Sequence, residues 1–298
     1  MASALLTAFL FSLSAIFGGR SARLFGAMTA NLGRVIVAIF MLGLWSFTFG
    51  KGLSGAGIYW LILSGCIGFG FGDMALFGAL PRIGPRLSIL LTQCLAGPVA
   101  GLAEWIWLGQ KIRLAEAVCG LFILIGVLAA LMPTSKSSVN RFFWSGVGFG
   151  ILSALGQGIG AVISRKAGWI NLAAATPIDG GTAAFQRMLG GFFITVVFIY
   201  CFRRGEKITF LTPQTHRLRP GWHNILINGL VGPSIGVGFY QYALTSTPSA
   251  IVLAIVATSP VMVMLIQFYT GEEKPGKLSI AGALVAVGGA VALATMKG

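Results

Sequence analysis

Two acids and two arginines lie well inside long apolar runs of this sequence. Asp73 and Glu104 are the acids among them, and Arg34 and Arg187 are the arginines. If the runs are membrane spans, each charge there is costly and usually has a function. At 1.5 Å per residue, Asp73 lies roughly 7 Å from the middle of its run and Glu104 roughly 9 Å from the middle of its own. Because consecutive helices run antiparallel, the two acids face opposite sides and do not pair with each other.

The two arginines lie at depths that match those of the acids. Arg34 shares the depth and side of Asp73, and Arg187 shares those of Glu104. We therefore expect the ion pairs Arg34–Asp73 and Arg187–Glu104 near opposite mouths of a pathway, where their making and breaking follows which mouth is closed. Two alternatives have equal weight: a permanent pair only neutralises charge within the fold, or an arginine reaches up to the lipid headgroups.

Uncharged amides inside the same runs are candidates for contact with a polar solute, because they can replace its hydration. Such amides rarely face lipid, and each is equally suited to a hydrogen bond between helices. Tyr240 adds a ring and a hydroxyl next to one of them. The candidates for a cavity near the midplane are Gln93, Gln157, Gln186, Asn228, Tyr240 and Gln241.

Two prolines and a glycine motif indicate bends and close packing. Pro98 and Pro260 lie deep within apolar runs, where each removes a hydrogen bond and bends its helix. They are hinge candidates, and static kinks are the alternative. The alternating glycines of the segment 68–72 lack the lysine of a phosphate loop, so they predict a close helix crossing instead.

Composition identifies the apolar runs as membrane spans. The chain is 56% hydrophobic and 9% charged, whereas soluble domains have about 25% charged residues. The net charge of +14 is spread over short connections, which favours anionic lipid headgroups over nucleic acid as the counterpart. The four cysteines and two histidines have no ligand-like spacing, so neither a metal site nor a cofactor is predicted.

About ten spans are predicted, which gives an all-α integral membrane protein. The first run has no basic segment before it and no cleavage site after it, so we expect it to be retained as a span. The first five spans are Ala2–Phe17, Thr29–Phe49, Ala56–Leu80, Arg86–Leu108 and Ala115–Met132. The second five are Phe143–Ser164, Gly181–Cys201, Trp222–Leu244, Ser249–Tyr269 and Leu278–Met296.

The two sets of five spans are related as an internal repeat. A first repeat over 1–132, a polar linker over 133–142 and a second repeat over 143–298 are predicted. Arg34 and Arg187 occupy corresponding places in the second span of each set. Because five is odd, the second repeat must be inverted relative to the first, as in many secondary transporters. A shift of 162 residues superposes Pro98 on Pro260, Gly109 on Gly271, Gly120 on Gly282 and Gly126 on Gly288.

On these residues the chain resembles the drug/metabolite transporter superfamily in its ten-helix, EamA-type form, over essentially its whole length. The resemblance rests on Gly97-Pro98, on Ser259-Pro260, on the two arginines, and on the span ends 108–111 and 270–273. The family's Leu-Gly-Glu ending is intact only as Gly271-Glu272. Among the branches, the chain looks most like the bacterial exporters of amino acids, including aromatic ones, which implies a multi-pass protein of the bacterial inner membrane.

The predicted function is export of amino acids or similar small metabolites by alternating access, without covalent chemistry. The expected partners are the small-molecule substrate and membrane lipids, not nucleic acid, and a monomer is sufficient. Both proton exchange on Asp73 or Glu104 and passive uniport remain open. One alternative is a non-transporting assembly subunit, which would have no substrate-sized cavity between the repeats. Another is an intramembrane enzyme, for which the sequence offers no nucleophile with a base and no metal set.

Resemblance and charge predict different membrane orientations. The resemblance implies that both termini are cytoplasmic, which places six Lys and Arg residues on the cytoplasmic side and thirteen on the other. The positive-inside rule expects the larger number to be cytoplasmic, and it therefore favours termini on the outside. The six are Lys51, Lys111, Arg113, Arg165, Lys166 and Lys297.

Overall fold

The architecture is helical throughout the part of the chain that the computed structural model describes, namely residues 2–109, 113–131, 142–202, 220–246, 249–272 and 276–297. The α-helices are α1 (Ala2–Phe25), α2 (Ala27–Thr48), α3 (Ile58–Gly65), α4 (Asp73–Ile89), α5 (Leu95–Leu108), α6 (Leu114–Leu131), α7 (Phe143–Ala173), α8 (Gly180–Phe202), α9 (Trp222–Gly229), α10 (Val237–Ser246), α11 (Ser249–Val256), α12 (Ser259–Thr270) and α13 (Lys277–Lys297). Within the described residues, the π-helical segments Cys66–Gly72, Leu90–Cys94 and Leu230–Gly236 join α3 to α4, α4 to α5 and α9 to α10.

The described helices combine into ten apolar spans, numbered here in chain order. Helices α1, α2, α6, α7, α8 and α13 each form one span. Gly84, with φ 76°, breaks α4, so that α3 and the first part of α4 form span 3, and the remainder forms span 4 with α5. Helices α9 and α10 form span 8, and α11 and α12 form span 9. Five of the described helical stretches are each long and apolar enough to cross a bilayer. One of them, 58–107, contributes to two spans because Gly84 divides it.

Two helices extend further than the apolar runs predict. Helix α1 continues past Phe17 to Phe25, and α7 continues past Ser164 to Ala173. The apolar runs end at the first charged residues, but a charge does not terminate a helix. Arg165 therefore lies on α7 rather than in a connection. The predicted linker, apart from its last residue, lies outside the described residues.

The prolines of spans 4 and 9 occupy different local structures. Pro98 lies inside α5, just after a π-helical segment, as a bend requires. Pro260 was expected in a helix interior, but it lies in the first turn of α12, where a proline removes no hydrogen bond. Span 9 is therefore broken rather than kinked. The Cys94 thiol lies 3.8 Å from the Ala257 carbonyl oxygen, so the two interruptions meet.

The packing between the two halves is reciprocal. Helix α8 packs against α2 and α3, and α2 packs against α8 and α9. Helix α7 packs against α4 and α5, and α1 packs against α9, α10 and α12. Helices α6 and α13 pack against each other. An inverted repeat would give this pattern of contacts; the repeat and its boundaries stay a prediction.

The alternating glycines form a close crossing, as predicted, although in a π-helical segment. A Cβ on Gly72 would lie 3.3 Å from the Gly156 Cα on α7, and one on Gly70 would lie 2.6 Å from the Ile194 Cβ on α8. Small residues let helix backbones approach closely in lipid. The segment therefore lies against both α7 and α8, and Asp73, which directly follows it, is buried.

Asp179 caps the N-terminus of α8, outside the spans. Its Oδ1 accepts hydrogen bonds from the Thr182 backbone N–H and from Trp45 Nε1, both at 2.9 Å. Its Oδ2 accepts one from the Thr182 hydroxyl at 2.5 Å. Partial burial disfavours the charged carboxylate, but the hydrogen bonds from Thr182 and Trp45 outweigh burial and lower the pKa of Asp179.

We expect Asp179→Ala to reduce the free energy of unfolding by about 1 kcal/mol at neutral pH, because α8 loses its cap. A carboxylate with a lowered pKa in the folded state stabilises fully above its unfolded pKa of about 3.9, and it stabilises less as the pH falls through the folded value. Thermal unfolding of wild type and variant should therefore converge in acid. The control, Asp179→Asn, keeps an uncharged cap. If the free energies of unfolding of wild type and Asp179→Ala differ equally at neutral and strongly acid pH, Asp179 does not cap α8 as a charged carboxylate.

Candidate functional site

A cavity of about 50 Å³ lies between the two halves, lined by residues of spans 1 to 4 and 6 to 8. Four of the six predicted cavity residues line it, namely Gln93, Gln157, Asn228 and Tyr240. Three of the four predicted charged residues also line it, and they are described next. The described residues of spans 5, 9 and 10 do not contribute to its lining.

The predicted ion pair between Arg34 and Asp73 is present at the cavity. One Arg34 Nη donates to an Asp73 carboxylate oxygen, and both side chains are buried. Arg34 Nε donates to Asn31 Oδ1 at 3.1 Å, and its guanidinium lies over the Phe77 ring at 4.7 Å. Gln157 Nε2 donates to the second Asp73 oxygen at 3.2 Å. Asp73 is therefore satisfied by spans 2 and 6.

Arg187 is not paired with Glu104, contrary to the sequence-based expectation. It is 1% exposed, and its guanidinium lies over the Phe69 ring at 4.8 Å and the Tyr240 ring at 5.8 Å. Its Nε is buried without a hydrogen-bond partner, and Asp73, whose charge also acts on Arg187, is bound by Arg34 and Gln157. Arg187 thus lines the cavity with its Nε–H unused.

Glu104 is bound on a different side of the molecule. Its carboxylate accepts a hydrogen bond from Arg165 Nη1 at 3.0 Å and another from the Ser249 hydroxyl. The expected pair with Arg187 is wrong because α5 packs against α7 and α11, whereas α8 packs against α2 and α3. Depth along a span determines height in the membrane, but it does not determine which spans are neighbours.

Two predicted cavity amides lie elsewhere. Gln186 donates to the carbonyl oxygens of Gly52 and Ser54 at 3.0 and 2.9 Å, and so it holds the connection between spans 2 and 3. Gln241 donates to the Ser164 hydroxyl at 3.2 Å and lines a separate cavity of about 300 Å³ near the start of α8. Both side chains are buried, but Gln186 holds a connection and Gln241 joins two helices. The hinge candidates Pro98 and Pro260 do not line the central cavity.

Several residues that line the cavity were not predicted from the sequence. The Ser14 hydroxyl donates to Asn228 Oδ1 at 2.6 Å, which leaves the Asn228 amide nitrogen without a partner. The Tyr240 hydroxyl also has none. Phe69 and Phe77 provide ring faces for Arg187 and Arg34. A serine or phenylalanine in a span gives no signal of its own, since lipid-facing and cavity-facing copies look alike in sequence.

The site contains groups suited to binding. Its charged residues are two arginines and one aspartate, and its uncharged polar groups include amides and a tyrosine hydroxyl. Hydrophobic and aromatic side chains complete the wall. A few placed polar groups in an otherwise apolar enclosure are typical of a small-molecule site.

Comparison with known proteins agrees with this arrangement. A solved structure described as "Crystal structure of protein" is similar at 17% identity, with a TM-score of 0.66, over 99% of this chain and 98% of that one. At this identity the similarity shows the fold. No curated protein matches the sequence. The model of the EamA-like transporter family matches residues 144–295, which is more than half of the chain. The chain therefore belongs to the EamA-like transporter family.

Proposed function

We propose that this protein exports amino acids or similar small metabolites across the bacterial inner membrane by alternating access. The observation that carries the proposal is the central cavity, which is lined by spans of both halves and retains polar groups without protein partners. Membership of a transporter family supports movement of a small molecule. Because residues of one chain line the cavity, a monomer is sufficient.

The size of the cavity supports a pathway that must open before substrate enters. A volume of about 50 Å³ holds only a few water molecules, because one water needs roughly 10–15 Å³ on this measure. An amino acid therefore enters only when the lining spans separate. Rocking of one half against the other provides such a separation at one face at a time.

Two ion pairs are suited to act as gates. Arg34–Asp73 joins spans 2 and 3, and Glu104–Arg165 joins spans 4 and 6 nearer the face that carries Asp179. We assign gating to these pairs, with Arg165 in the place that Arg187 was expected to take. The contact of Cys94 with Ala257, beside the interruptions at Pro98 and Pro260, is the hinge in this proposal.

Counterflow in proteoliposomes tests the function whatever the driving force. Vesicles with purified protein are loaded with one unlabelled amino acid, and uptake of the same labelled compound is followed. If the protein is a carrier, the labelled compound accumulates transiently in vesicles that were loaded with the unlabelled one. Protein-free vesicles show no such accumulation. Repeating the assay with an imposed pH gradient separates proton exchange from uniport. Uptake equal to that of protein-free vesicles for every amino acid and related metabolite would rule the proposal out.

A further inference from the structure

The position of Arg187 has a consequence for the charge of the substrate. Arginine stays protonated in proteins, and a buried charge without a partner is strongly destabilising. Arg187 is 1% exposed, and its Nε has no hydrogen-bond partner. The rings of Phe69 and Tyr240 provide partial compensation only. Asp73 acts on the Arg187 charge without a hydrogen bond to it, and its carboxylate oxygens are bound by Arg34 and Gln157. Among the described residues, Arg187 therefore has no counterion of its own in the cavity.

The charges that line the cavity do not balance. Its lining includes Arg34, Arg187 and Asp73 as the charged residues of the described chain. Asp73 already binds Arg34 directly and accepts a hydrogen bond from Gln157. The surplus is one positive charge, and it lies at Arg187. A bound species with a net charge of −1 would make the occupied site neutral.

Two further polar atoms of the cavity are unused and can donate. The Tyr240 hydroxyl and the Asn228 amide nitrogen line the same cavity, and neither has a hydrogen-bond partner. A guanidinium presents a planar fork of N–H groups that matches the two oxygens of a carboxylate. Three side chains that line the same cavity thus have unused donor groups, which favours an oxyanion over a cation as the bound group.

We infer that the substrate is a small organic anion whose carboxylate binds Arg187, with species of net charge −1, such as carboxylic acids or acidic amino acids, preferred over zwitterions. This inference rests on the proposed function and narrows its substrate class. The remainder of the substrate lies against the apolar wall of the cavity, to which Phe11 and Leu76 contribute.

Thermal unfolding of the purified full-length protein with matched compounds tests the inference. The probes are glutamate against glutamine, and 3-phenylpropionate against phenylalanine and 3-phenylpropionamide, with inorganic phosphate as a separate arm. We expect the carboxylates of net charge −1 to raise the unfolding temperature by a few degrees and their neutral counterparts to raise it less. Equal shifts within each set, no shift with any carboxylate, or a shift with phosphate alone overturns the inference.

Substitutions at Arg187 test whether this residue binds the carboxylate. Arg187→Gln should weaken carboxylate binding at least about tenfold, since a charged hydrogen bond is lost, and Arg187→Lys should weaken it less because the charge remains. Arg82→Gln is the matched control. Arg82 also lies over a ring, that of Phe149 at 4.8 Å, but it is not in the cavity lining. Retention of the carboxylate response in Arg187→Gln, or its loss in Arg82→Gln, contradicts the assignment.

A purely structural role for Arg187 makes a different prediction. If the guanidinium mainly stabilised the helices, ligand-free Arg187→Met would unfold at a lower temperature than wild type. If Arg187 is an unpaired charge that awaits substrate, Arg187→Met should unfold at the same or a higher temperature. Failure of the proposed function remains distinguishable, because counterflow reports transport, whereas these shifts report binding. Counterflow of neutral compounds with no preference for anions overturns the inference and leaves transport intact.

Discussion

Asp73→Asn should abolish transport and lower the free energy of unfolding by about 3–5 kcal/mol. The substitution leaves the buried guanidinium of Arg34 without its charged partner, in a cavity that also contains Arg187. Removal of one partner of a buried ion pair has this cost, because the other charge stays desolvated. Unfolding in detergent gives the free energy, and counterflow of a transported compound gives the activity.

A double variant separates the structural from the functional part of this effect. Asp73→Asn combined with Arg34→Gln removes both charges, so much of the lost stability should return, whereas transport should stay absent if the pair belongs to the transport cycle. The matched control is Glu272→Gln, which removes the ion pair with Arg20. That pair is 38% and 31% exposed, so the loss should be about 1 kcal/mol or less. Normal transport by the folded Asp73→Asn variant would remove the pair from the mechanism.

The Arg34–Asp73 pair was predictable because spans 2 and 3 follow each other in sequence. Consecutive spans joined by a short connection are usually neighbours, so matching depth was sufficient to bring the two side chains together. Glu104 and Arg187 lie on spans 4 and 7, for which depth carries no information about proximity. Glu104 instead binds Arg165, which the end of an apolar run had assigned to a connection. The all-helical class and most span positions follow from hydropathy, because an unsatisfied backbone group in lipid is too costly for irregular structure.

The polar amides show a second limit of prediction. Gln157 and Gln186 have the same side chain in similarly apolar surroundings, yet Gln157 binds Asp73 in the cavity and Gln186 binds two loop carbonyls. Rotation of a helix about its axis decides between these outcomes, and it depends on packing with several neighbours. Two of the three described π-helical segments are rich in glycine, but Leu90–Cys94 has no such signature. All three widen the local turn and change which residues face the cavity after them, which simple helical periodicity does not anticipate.

Gly65→Ala should destabilise the protein and also weaken the site, because Gly65 packs on the backbone that carries Arg187. A Cβ at Gly65 would overlap the Arg187 carbonyl oxygen, and a Cβ at Gly190 would overlap the Ile62 carbonyl oxygen. Helices α3 and α8 therefore meet through two glycines. Overpacking of this kind costs roughly 1–3 kcal/mol, and relief of the overlap must move α8 and with it Arg187.

The matched control for this prediction is Gly148→Ala on α7. A Cβ there meets no atom within 4 Å, so the substitution should leave stability unchanged or raise it by up to about 1 kcal/mol through lower backbone entropy in the unfolded chain. Unfolding in detergent compares the two variants, and the carboxylate-induced shift in unfolding temperature reports whether Arg187 has moved. Because the contact is between backbones, a rotamer change cannot relieve it. If Gly65→Ala is as stable as Gly148→Ala and responds normally to carboxylates, the crossing of α3 and α8 does not determine the position of Arg187.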